Sequence, residues 1–198
     1  MFFIPGFLIA MATFPGVIVH EAAHLLFCRL GKLAVFDVCY FRIGNPSGYV
    51  IHQGTTNFLK IWMVGMGPFF INSALCVLFC SAAFMPVWEL DIHDPLAYFF
   101  YWLGLSMGMH AFPSTQDVEG LWALMPAETK KFNLLAIVSY PIVALVHILN
   151  LLRVVWADLG YGIAIGVLGA WIALKLLRHT PSQSSSALPP AREESIRQ

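Results

Sequence analysis

The sequence predicts an all-α membrane protein of about five transmembrane helices, with a small β-hairpin between the first two. Three observations predict it. Of 198 residues, 59% are hydrophobic and 11% are charged, where soluble domains carry roughly a quarter charged residues. Mean hydropathy is +0.73, so most of the surface is unsuited to water. The apolar residues also fall into long runs, near 3–30, 57–87, 95–112, 132–153 and 159–177, each close to the ~20 residues that cross a bilayer.

The first run has no basic residue ahead of its apolar stretch and flows directly into polar side chains, so it is expected to stay as a helix and not to be removed as a leader. A hairpin is expected near 34–53. Apolar and polar residues alternate in "VFDVCYFRI" and "YVIHQ", and "GNPSG" between them is turn chemistry. An isolated hairpin is marginal in water, so this one is expected to rest on the helices or at the membrane interface. It serves either as a connector or as an edge that pairs with an extended peptide. The second run carries no charge between Lys60 and Glu89, and the third stops at "HAFPSTQD". The fifth is short, with Lys175 able to snorkel from its end. Residues 179–198 are rich in Ser and Pro with no apolar face and read as a disordered tail, leaving 1–178 as one polytopic domain.

Net charge is zero, which gives no field for nucleic acid; the bilayer is the expected partner. With five crossings from an outer amino terminus, every Lys and Arg except Arg153 falls inside. That satisfies the positive-inside rule and predicts a cytoplasmic carboxyl terminus; the small size and plain tail point to a bacterial inner membrane. Cys28, Cys39, Cys76 and Cys80 form no CxxC pair and read as packing residues.

Chemistry concentrates in "VIVHEAAHLL", residues 17–26. His20 and His24 are four apart, so a helix projects both imidazoles from one face, a spacing suited to one Zn²⁺. Glu21 beside them is placed to act as general base without ligating. Ionisable groups within an apolar helix are costly and usually functional. A hydrogen-bonded trio joining helices is the plainer alternative.

A catalytic zinc takes a third protein ligand and leaves a position for water. Asp117 leads the candidates, because it follows a proline that interrupts the third run, and broken backbone at membrane depth belongs beside a cavity or inside protein. It competes with a plain capping role for "VEGLWALM". His110, Glu119 and His147 are the other candidates, although His147 also reads as a packed histidine. His52, His93 and His179 read as interface or loop residues. Gly65, Gly67 and Pro68, and Gly162 with Gly166, suit close helix packing.

Three pieces in this order resemble the site-2 protease type of intramembrane zinc metalloprotease: HEAAH, "GMGPFFINSAL" and "HAFPSTQDVEG". The likeness spans roughly residues 10–125 and marks a divergent, minimal member. Asn72 lies one residue further from Gly67-Pro68 than in the family's motif, His110 stands where an asparagine is expected, and there is no PDZ-like domain. The resemblance implies a core of three helices around zinc, ligands His20, His24 and Asp117, and Glu21 as catalytic acid/base. It leaves His110 and Asn72 as candidates for contacting substrate or oxyanion. It also implies cleavage of membrane-spanning protein or peptide substrates. The expectation is a zinc-dependent intramembrane endopeptidase. The alternatives are a zinc-binding transporter or scaffold without peptidase activity, and a hydrolase of lipidated substrates.

Overall fold

The computed structural model describes residues 6–91, 93–151 and 156–179. Seven α-helices and one strand pair occur among them. The order is α1 (Gly6–Ala12), α2 (Phe14–Leu30), β1 (Val35–Cys39), β2 (Tyr49–His52), α3 (Phe58–Phe84), α4 (Pro95–Met109), α5 (Thr115–Lys130), α6 (Leu134–Leu151) and α7 (Ala157–His179). A π-helical turn, Met85–Glu89, continues α3. Two helices, Phe58–Trp88 and Ala157–Leu176, are long and apolar enough to cross a membrane, and a third span results if α1 and α2 count as one. The molecule therefore fits a membrane protein.

The first apolar run is not a straight span. Pro15 cannot donate to the carbonyl one turn back, so the helix stops and restarts, and α1 meets α2 at 89°. A sharp bend in an apolar setting strands backbone polar groups, and α4 supplies their partners. Trp102 Nε1 donates to the Ala12 carbonyl (2.8 Å) and the Ser106 hydroxyl to the Thr13 carbonyl (2.8 Å). The Thr13 hydroxyl donates to the Ile9 carbonyl (2.7 Å), so His110 Nε2, 2.8 Å away, is the donor to Thr13. Trp102, Ser106 and His110 are spaced by four, one ladder along a single helical face.

β1 and β2 pair antiparallel, from Val35 opposite His52 to Cys39 opposite Tyr49, with an irregularity between Val35 and Asp37. The hairpin falls within the expected 34–53. Arg42 closes the connecting loop, its backbone N–H donating to the Ser47 carbonyl (2.7 Å) and its Nε to that of Pro46 (2.9 Å).

Helix α3 is the central post. Against it α2 runs antiparallel, with Asn72 at Gly16 and Val64 at His24. α4 is also antiparallel, Gly104 lying against Cys80 and Gly108 against Cys76. Helix α7 runs in the same direction as α3. Tyr161 meets Ser73 (2.7 Å), and Gly166 meets Cys80 further along. The glycines and buried cysteines thus do serve helix packing.

This direction corrects the expected topology. With α3 and α7 parallel and α2 antiparallel to α3, the carboxyl end of α7 points to the same side as that of α3 and the amino end of α2, whereas five full crossings would point it to the opposite side. The physical reason lies in α6. It folds back on α5, burying Ala136, Val143 and Val146 with Val118, Leu121 and Met125, while Leu134, Val138 and Leu145 stay exposed. Run length alone does not distinguish such a helix from a full span. Of the expected tail only His179 is described, at the end of α7; 180–198 lie outside the described residues.

Gly16 makes the closest joint between α2 and α4. A Cβ there would overlap the Ser106 carbonyl. Gly16→Ala is expected to destabilise the protein by about 1–3 kcal/mol, the range for overpacking. Gly120→Ala, where nothing lies within 4 Å, should gain up to ~1 kcal/mol of helix propensity. Thermal unfolding of both variants in detergent checks this.

Candidate metal centre

On α2, the four-residue spacing stacks His20 and His24 one turn apart, with relative exposures of 9% and 6%. Each ring is held from behind by a backbone carbonyl. His20 Nδ1 donates to the His110 carbonyl (2.7 Å) and His24 Nδ1 to the Val64 carbonyl (2.9 Å). A carbonyl can only accept, so each Nδ1 carries the hydrogen and, in a neutral ring, each Nε2 presents a lone pair. Those two Nε2 atoms face each other at 3.1 Å. Two lone pairs that close repel unless positive charge sits between them, as a cation or as the extra proton of an imidazolium.

Asp117 completes the set. Its Oδ2 lies 3.4 Å from His24 Nε2, and one ligand atom from each of His20, His24 and Asp117 lies within 4.8 Å of the others. Tetrahedral zinc at ~2.0–2.1 Å from N and O donors puts those donors ~3.3–3.4 Å apart. The residues present fit such an ion.

Asp117 also caps α5. Ser114 is the N-cap, and its backbone N–H (2.8 Å) and hydroxyl (2.6 Å) both donate to Asp117 Oδ2. The reciprocal bond, Asp117 N–H to Ser114 Oγ at 3.3 Å, makes a capping box. The capping and ligand readings therefore describe one carboxylate, fixed by its own helix terminus and presented to His24.

Glu21 is buried, with 8% exposure, and borders the same cavity as both histidines and Asp117. The cavity measures about 1180 Å³, more than the ~300–1,000 Å³ usual for small-molecule sites. Helix α1 walls it with Phe7 and Ala10, and Trp156 and Asp158 reach it from the start of α7. The hairpin loop closes over Glu21. A Cβ on Gly48 would lie 2.6 Å from Glu21 Cγ, so only glycine lets the loop approach this far. Tyr49 borders the cavity as well. Its hydroxyl donates to Asp37 Oδ2 (2.9 Å), and that bond holds its pKa above the ordinary phenol value.

The other candidates are placed differently. His110 borders the cavity, but its Nε2 is engaged with Thr13 and its carbonyl with His20. Asn72 is fully buried and donates from Nδ2 to the His110 carbonyl (2.9 Å) and the Gly16 carbonyl (3.2 Å). It ties α3 to α2 and to the α4–α5 turn, away from the cavity wall, where an oxyanion contact has no support. Glu119 is exposed. His147 stacks on Trp122 at 5.5 Å and 9° within the α5–α6 packing. None of the alternative third ligands, His110, Glu119 and His147, joins the cluster of possible ligands among the described residues.

Sequence reasoning missed the two orienting carbonyls, since any residue type supplies one. It also missed the α1 wall and the contribution of α7. Gly48 was legible only as part of turn chemistry, and His52, read as an interface or loop residue, borders the cavity. Comparison of the chain with protein-family models, with curated proteins and with solved structures finds no match in any of the three.

Proposed function

We propose that this protein is a zinc-dependent intramembrane endopeptidase of the site-2 protease type, acting on membrane-spanning protein or peptide substrates. The observation that carries this reading is the convergence of His20 Nε2, His24 Nε2 and an Asp117 oxygen within 4.8 Å, beside buried Glu21 and a cavity large enough for a peptide segment. In this reading α2, α3 and the α4–α5 turn form the metalloprotease core, in a bacterial inner membrane.

When bound, zinc supplies Lewis acidity and a water acidified towards a pKa of ~7. The chain's own residues do the rest. Glu21 accepts the proton of the attacking water and returns it to the leaving amine. The Val64 and His110 carbonyls hold the two imidazoles in the ligating tautomer. The hairpin offers backbone donors and acceptors to a substrate segment that has left its helix, since helical carbonyls are already hydrogen-bonded and shielded.

The test uses the purified protein in detergent with a single-span reporter peptide that carries a helix-destabilising Asn-Gly pair near its middle. Cleavage within the apolar segment should stop on chelation and return with added Zn²⁺. Cleavage that persists in the metal-free protein contradicts the proposal.

A further inference from the structure

Helix α3 contains Pro68 in its interior, at a position where proline destabilises a helix. What the molecule gains is visible one turn back. Residue 68 has no N–H to donate, so the carbonyl at residue 64 is released from the helical ladder. The pyrrolidine ring also pushes that carbonyl outward. The released group is the acceptor that binds His24 Nδ1 at 2.9 Å.

The same device serves the other histidine. His110 ends α4 as its C-cap. The N–H four residues on, that of Ser114, is taken by Asp117 Oδ2 (2.8 Å). The His110 carbonyl is thus left for His20 Nδ1 (2.7 Å) and Asn72 Nδ2 (2.9 Å). Two helix interruptions release two carbonyls, and each carbonyl orients one imidazole.

We infer that Pro68 is a positioning residue for the metal centre: it is kept at a cost to α3 because it frees the Val64 carbonyl that fixes His24 with Nε2 bare. The inference rests on the metal reading above, but it concerns a residue that touches neither metal nor substrate. It assigns Gly67-Pro68 a role beyond close helix packing.

The test replaces Pro68 by Ala, which restores the N–H and draws the Val64 carbonyl back into line. Zn²⁺ affinity is measured by chelator competition, and thermal stability is measured on the metal-free protein. Outer-shell partners of ligating histidines are typically worth about 10–100-fold in metal affinity. Pro68→Ala should therefore bind Zn²⁺ about tenfold or more weakly while the metal-free protein unfolds at the same or a higher temperature. Pro141→Ala, which removes a proline from the interior of α6, should leave the affinity unchanged.

A merely structural proline would move stability and affinity together, or neither. Unchanged Zn²⁺ affinity in Pro68→Ala overturns the inference, as does an equal loss in Pro141→Ala. If Pro68→Ala does not fold, ¹⁵N imidazole spectra of the wild type decide: a neutral His24 protonated on Nδ1 supports it, and one protonated on Nε2 overturns it. Wild type that binds no Zn²⁺ but shows the Nδ1 tautomer would sink the metal reading alone.

Discussion

Glu21→Gln is expected to keep zinc binding and to lose the proposed peptidase activity. The amide is nearly isosteric with the carboxylate, so the buried site beside Gly48 is not disturbed, and His20, His24 and Asp117 still bind. An amide accepts no proton at neutral pH, and general-base catalysis is worth about 10²–10⁴-fold. The expected result is wild-type zinc content with reporter cleavage down by at least that lower bound. Zinc transport or scaffolding makes no use of a general base. Undiminished cleavage in Glu21→Gln would remove Glu21 from the chemistry, and a variant that loses its zinc would make Glu21 a ligand.

The second large effect separates the two duties of Asp117. Asp117→Ala removes both the cap acceptor and the third ligand. It should cost about 1 kcal/mol of stability, typical for a lost helix cap, and should release the zinc. Asp117→Asn keeps an oxygen for the Ser114 N–H and hydroxyl, so the α5 terminus survives, but a neutral amide is a poor zinc ligand. The asparagine variant should unfold like wild type once both are metal-free, and its zinc affinity should fall by more than the ~10–100-fold usual for outer-shell losses. His24→Ala should release zinc too. Zinc retained at wild-type affinity in Asp117→Asn would leave the carboxylate with its capping role alone.

The candidate site was largely legible from sequence because it depends on local spacing. His20, Glu21 and His24 sit on one helical turn, and Asp117 was marked by the proline that breaks an apolar run. The structure gathers these residues at one cavity, and among the described residues no more distant candidate displaces Asp117. The carbonyl of Val64 was invisible, since its role comes from what Pro68 lacks four residues later. The fold was legible in its elements and less so in their paths. Five apolar runs correspond to helices, yet the first is bent at Thr13 and the fourth doubles back on α5. A helix that packs on a neighbour with an exposed apolar face and a spanning helix share one composition, so hydropathy could not order them. The charge distribution also fitted a five-crossing scheme that the parallel α3 and α7 exclude. Asn72 was marked by its position after Gly67-Pro68, but only packing showed that its amide ties three segments and does not face the cavity.

One state of the site without metal satisfies the same geometry: a proton on His24 Nε2, shared between His20 and Asp117. X-ray absorption at the zinc edge, with elemental analysis of protein purified without chelator, separates the two most directly. The account predicts about one zinc per chain in a shell of nitrogen and oxygen donors at ~2.0–2.1 Å, without sulfur. Protein that holds no stoichiometric metal and takes up none from added Zn²⁺, with its imidazoles bridged by a proton, would contradict it.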